Sequence, residues 1–161
     1  MYAVKDDRVV ARNEIPPPVT GAPDPRLVVG ERFCDLTYIT DSVLTMPKKF
    51  ARNKTQYEVT LLFENVTSLM FGYPNDEALG GHPLYDKGLR HYRVYEVQNS
   101  SWITLIKQTN EKSFPGKSQI FDGDRHIIIT FQDSTFECLF GGKIRLRNSM
   151  DEESETKLSF V

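Results

Sequence analysis

Arg125-His126-Ile127-Ile128-Ile129-Thr130-Phe131, the spacer Gln132-Asp133-Ser134, and Thr135-Phe136-Glu137-Cys138-Leu139-Phe140 decide the fold. Two runs rich in β-branched and aromatic residues flank a short polar spacer, which predicts a β-hairpin. Pairing Phe131 with Phe136 sets Ile129 opposite Cys138 and Ile127 opposite Phe140, all six on one face. The other face carries His126, Ile128, Thr130, Glu137 and Leu139. That face is mixed rather than polar, so both faces of the hairpin expect cover. A helix can cover one; a second layer or a partner subunit can cover the other.

Outward from the hairpin the pattern stays strand-rich. Gly141-Gly142 predicts a tight hairpin into a strand over Lys143 to Arg147, whose Ile144 and Leu146 extend the mixed face. Asn99, Ser100 and Ser101 are N-cap residues ahead of one helix, Ser101 to Asn110, stopped before Pro115 and Gly116. Trp102, Leu105, Ile106 and Thr109 fall at helical spacing and form the stripe that docks on the sheet, with Trp102 as a core anchor. His91 to Gln98 and Phe33 to Thr40 are strand candidates. Gln56 to Glu64 alternates, and Asn65 turns it into a partner strand, Val66 to Phe71. Residues 74 to 88 hold Gly80, Gly81, Pro83 and Gly88 and read as a long loop. The expected class is α+β, an antiparallel sheet of about six strands with one short helix packed on it. The alternative is a β-barrel or sandwich with a helical lid.

The core domain spans 31–147. Residues 1–30 hold Pro16, Pro17, Pro18, Pro23 and Pro25 and read as a tail or strap, because proline fixes φ and lacks a donor. Residues 148–161 are an acidic tail with Asp151, Glu152, Glu153 and Glu155; Leu158, Phe160 and Val161 could dock as a terminal strand.

The 161 residues carry a net charge of -2, from 20 basic and 22 acidic side chains. That balance offers no global attraction to nucleic acid or to an anionic membrane. No apolar run approaches the roughly 20 residues that cross a bilayer. The first residues lack the apolar stretch of a secretion signal, and Cys34 and Cys138 lie inside strand-like runs. Both point to buried thiols and a cytoplasmic, reducing setting.

Four side chains make a candidate polar site: His82, His91, His126 and Glu137. A histidine and a carboxylate on one sheet face can support acid-base work. Yet 126 and 137 are too far apart in the expected register for a direct hydrogen bond, while His82 in a loop and His91 at a strand start are ordinary surface places. Lys48, Lys49, Arg52 and Lys54 around Phe50 form a candidate basic loop for nucleic acid, though such a run is commonly a solvated loop. The histidines lack the i,i+4 spacing of a helical zinc site and there is no Cys-x-x-Cys, so no metal is assigned. Without a Gly-x-Ser-x-Gly elbow or a Gly-rich phosphate loop, no catalytic set and no cofactor is assigned.

Asn99-Ser100-Ser101-Trp102-Ile103, then Arg125-His126 leading into Thr130-Phe131-Gln132-Asp133-Ser134-Thr135-Phe136-Glu137-Cys138, resembles a recurrent pattern of small bacterial proteins that has no activity attached to it. The resemblance covers residues 91 to 140 and implies a bacterial origin. In size and acidic balance the chain is also similar to toxin-neutralising immunity proteins. The leading expectation is a non-catalytic module binding another protein or a second copy of itself. Alternatives are a small hydrolase or ligand-binding protein using the 80–91 loop with His126 and Glu137, and nucleic-acid binding through the 48–54 loop.

Overall fold

The computed structural model describes residues 4–42, 56–148 and 156–158. Its strands are β1 (Arg8–Ala11), β2 (Arg26–Val29), β3 (Phe33–Thr40), β4 (Tyr57–Glu64), β5 (Val66–Gly72), β6 (Val94–Gln98), β7 (Arg125–Thr130), β8 (Thr135–Phe140), β9 (Ile144–Asn148) and β10 (Thr156–Leu158); helix α1 (Ser101–Ser113) lies between β6 and β7. The mixed α+β class holds, but the single six-stranded sheet does not. There are two five-stranded antiparallel sheets, ordered β1-β6-β7-β8-β5 and β10-β9-β4-β3-β2.

The two sheets pack face to face. β3 and β4 alternate buried and half-buried residues along their length, so Cys34, Leu36 and Tyr38 point inward with Tyr57, Val59, Leu61 and Phe63. Across the gap, Phe63 meets Phe136 and Phe140 at centroid distances of 5.5 and 5.2 Å, and Tyr38 meets Phe131 edge-on at 5.5 Å. Ile144 and Leu146 join this inter-sheet core instead of the mixed face.

The difference from one sheet arises at two corners. Asn65 and Gly141-Gly142 each predict a hairpin, but β5 pairs with β8 and β9 pairs with β4. Both corners carry the chain from one sheet to the other and lie side by side: the Gly141 and Gly142 amides donate to the Asn65 and Glu64 carbonyls. A Cβ on Gly142 would stand 2.5 Å from the Glu64 carbonyl oxygen, so the close crossing requires glycine there. Inward-outward alternation is the same for a hairpin and for a crossover, so periodicity alone does not separate them.

Residues 4–30 are part of the sandwich. β1 forms the edge of one sheet and β2 the edge of the other. Between them the proline-rich segment sends Ile15 into the inter-sheet core, accepts the Tyr38 hydroxyl at the Pro16 carbonyl, and bonds Val19 and Pro23 to Ile39. Prolines suit this path because it closes the side of the sandwich without needing ladder donors. The 148–161 segment contributes β10 along β9, while Phe160 and Val161 lie outside the described residues. No described helix is long and apolar enough to cross a membrane.

The hairpin β7–β8 is buried on both faces along nearly its full length. The second sheet covers one face. The other is covered by residues of the 74–90 segment, where 3₁₀ turns at Leu79–Gly81 and Tyr85–Lys87 tuck Leu79, Leu84 and Leu89 against Ile128 and Leu139. Trp102 at the start of α1 completes this layer. Ile103 and Ile106 dock with it, whereas Leu105 is 45% exposed, so the docking stripe is rotated from the expected 102/105/106/109 set. On its other side α1 contacts the 3₁₀ turn Ser118–Phe121, and Lys107 pairs with Asp122 at 2.8 Å.

Candidate functional site

The covered face of β7–β8 holds a buried polar network. In the observed register His126 lies opposite Leu139 and Ile128 opposite Glu137, two residues offset from the expected pairing. The offset is even, so every side chain keeps its expected face. It also makes His126 and Glu137 diagonal neighbours, within reach of long side chains. The His126 Nε2 is 3.0 Å from Glu137 Oε2, correcting the expectation that the two stand too far apart to bond.

His82 approaches the other carboxylate oxygen, with Nε2 3.1 Å from Glu137 Oε1. It is buried rather than a surface loop residue, because Leu79 and Leu84 on either side anchor the segment into the apolar layer. The Leu84 amide donates to His82 Nδ1 at 3.1 Å. On the far side, His126 Nδ1 is 2.9 Å from Ser100 Oγ, and the Trp102 ring meets the imidazole edge-on at 5.3 Å. Ser100 is the N-cap of α1, its oxygen accepting the Ile103 amide at 3.3 Å.

One arrangement of protons satisfies every one of these contacts. The Leu84 donor makes His82 Nδ1 an acceptor, so its proton sits on Nε2 and is donated to Glu137. The Ser100 hydroxyl, accepting Ile103, donates its own proton to His126 Nδ1; His126 then donates Nε2–H to the second carboxylate oxygen. Two imidazole N–H donors thus serve one carboxylate, the usual way a buried charge is satisfied. The network ties the 74–90 segment, both hairpin strands and the helix start together.

His91 is not part of it. It precedes β6, and its Nε2 bonds the Asp76 carbonyl at 2.9 Å; its neighbour Tyr92 donates to Asp76 Oδ2, and burial together with that bond pushes the Tyr92 hydroxyl up to about 12. Lys48, Lys49, Arg52 and Lys54 lie outside the described residues. No group of three or more His, Cys, Asp or Glu side chains among the described residues has the geometry to hold a metal ion.

Two residues of the site were missed in the sequence. Ser100 was legible as an N-cap, not as the partner of a histidine on another strand. Asp7, buried, accepts the Ser101 amide at the helix start with Oδ1 at 3.0 Å and the Lys5 amide with Oδ2 at 3.3 Å. A carboxylate there also complements the helix dipole.

Ser100, His126 and Glu137 in series have the bonding order of a nucleophile, base and orienting acid. The surroundings oppose that use. The hydroxyl is buried and spent on capping, and Asp7 occupies the helix-start amide that would otherwise face an oxyanion. A cleft of about 670 Å³ is lined by Ser100 together with, among others, the charged Glu96, Lys107, Asp122, Asp124 and Arg125. Glu96 there takes Arg125 in two hydrogen bonds of 2.8 Å and Arg12 in one of 2.7 Å. Burial pushes its carboxyl up, and the Arg125 hydrogen bonds with the two arginine charges more than reverse this, leaving it below the usual glutamate value. Comparison of the chain with protein-family models, curated proteins and solved structures finds no match.

Proposed function

We propose that the chain is a non-catalytic protein-interaction module that takes its partner by strand addition along β2. The reading rests on that edge. Val28 and Val29 are 62% and 54% exposed, and Phe33, whose ring packs on Gly30, is 48% exposed. Ile120, 69% exposed, lines a small cleft with Arg32 at the β2–β3 turn. Native edge strands are commonly blunted by charge, proline or a bulge. β5 carries a bulge at Val66/Ser68, β1 begins with Arg8 and is followed by Arg12, and β2 begins with Arg26 after Pro25, but the run Leu27-Val28-Val29 itself holds no charge, proline or bulge.

The apolar second face of the β7–β8 hairpin no longer argues for a partner, since the chain's own 74–90 segment and α1 cover it. The His–Glu network belongs in this reading to the architecture and not to chemistry. An immunity-like role, one small protein blocking another by binding, is compatible with an edge of this kind. Two unpaired buried thiols fit a cytoplasmic setting.

A photo-crosslinking residue at position 28, expressed in the native host, tests the proposal. A discrete protein adduct is expected from position 28 and not from the exposed Glu111 position on α1. No adduct, or the same adducts from both positions, would sink it.

A further inference from the structure

We infer that the occupant of the β2 edge is a second copy of this chain, joined antiparallel about a two-fold axis through Val28. The inference rests on the strand-addition reading and names its partner. The Gly30 amide donates to the Phe33 carbonyl, which makes Gly30 and Phe33 a hydrogen-bonded pair of the β2–β3 ladder. Hydrogen-bonded and non-bonded pairs alternate, so Val28 with Asp35 and Arg26 with Thr37 are bonded pairs too. The N–H and C=O groups of Leu27 and Val29 therefore point away from β3, and no described strand lies beyond them.

Three two-fold registers bring those groups into a ladder, and the sequence separates them. Centring on Leu27 sets Val29 against Pro25 of the second copy, which has no N–H to give. Centring on Val29 sets Arg26 against Arg32, two like charges. Centring on Val28 pairs Leu27 with Val29 of the second copy in both directions, satisfying all the outward groups. It also brings the exposed Asp24 beside the turn that carries Arg32 of the second copy, twice by symmetry. The two Val28 side chains meet at the axis as a non-hydrogen-bonded pair, where side chains stand closest. The interface is small, so the dimer dissociates on dilution.

Sedimentation of the purified chain over a range of concentrations should show a monomer–dimer equilibrium, lost in Val28→Lys at an unchanged melting temperature. Arg32→Asp, which sets two carboxylates together, should weaken the dimer at least tenfold. Val28→Cys should close a disulfide-linked dimer under mild oxidation, because the axis sets the two positions together, and Arg26→Cys should not. The native thiols are buried and stay out of this assay. A purified chain that is monomeric at every concentration, or Val28→Cys failing to crosslink while the dimer persists, overturns the inference. If the chain is monomeric yet position 28 gives a discrete heterologous adduct in the host, the strand-addition reading stands without the second copy; if neither is seen, both fall.

Discussion

Replacing Glu137 tests whether the buried network holds the second layer in place. Glu137→Gln keeps the side-chain shape and removes the charge. His82 cannot adapt, because the Leu84 amide holds its Nδ1 as an acceptor and its Nε2–H still needs an oxygen. The new amide oxygen must therefore turn to His82 and its NH₂ to His126, which then moves its proton to Nδ1 and donates it to the Ser100 oxygen instead of accepting from that hydroxyl. Two charge-assisted hydrogen bonds become neutral ones, a loss of about 1–1.5 kcal/mol each, or about 2–3 kcal/mol in all. Glu137→Leu leaves two buried imidazole N–H groups with no acceptor and should cost about 4–6 kcal/mol, toward the upper end for breaking buried polar pairs. Urea denaturation reads both, with stability taken from the midpoint and an unchanged slope. A Glu137→Gln variant unfolding at the parental midpoint would refute the charge centre, and Glu137→Leu no worse than Glu137→Gln would refute the two-donor assignment.

Trp102→Ala should lose about 3–5 kcal/mol in the same assay, while Leu105→Ala should change stability by less than about 0.5 kcal/mol; equal effects would return the docking stripe to its expected position. Ile15→Ala should cost about 2–5 kcal/mol, and a neutral result would detach the proline-rich segment from the core. Glu96 is held below the usual glutamate value in the folded chain, so it stabilises above that value and the contribution fades as pH falls through the folded one. Glu96→Gln should therefore flatten the acid side of the stability profile below about pH 4.5, as circular dichroism at stepped pH would show. Cys34 and Cys138 are fully buried in the inter-sheet core, and the neighbouring Cys34 thiol together with burial pushes the Cys138 thiol up. Neither thiol should react with an aromatic disulfide reagent until denaturant is added; fast labelling of the native chain would contradict the packing.

Local features of the fold were legible where the signal is local. The alternation of Tyr57, Val59, Leu61 and Phe63 marked β4, and the Asn99-Ser100-Ser101 run marked the start of α1, with Ser100 as the cap. The apolar content of both hairpin faces correctly demanded two covers. What covers them was not legible, because Leu79, Leu84 and Leu89 sit among glycines and prolines without a regular period. The sheet count was lost at Asn65 and Gly141-Gly142, where turn chemistry is the same whether the chain folds back or crosses over. The proline cluster showed an extended path, but its destination depends on Ile15 and on carbonyls that any residue carries.

The polar network shows why a site of this kind hides in a sequence. Its members lie at 82, 100, 126 and 137, on a loop, a helix cap and two strands, and only the strand pair shares a local register. A two-residue slip in that register leaves every face unchanged but decides whether His126 touches Glu137. Taking the carboxylate out of water costs several kcal/mol before its two imidazole donors are counted. Leu79, Leu84 and Leu89 together with Trp102 gain roughly 1.5–3 kcal/mol each on burial, enough to offset that cost. The apolar layer could therefore form without the network, but apolar contacts alone would not select one seating of the 74–90 segment. Glu137 has two oxygens, each matched by a different imidazole, and each imidazole is oriented by one further partner, the Leu84 amide or the Ser100 hydroxyl. That chain of matched donors and acceptors sets the seating, so its loss should loosen the 74–90 segment in hydrogen exchange before it unfolds the sandwich.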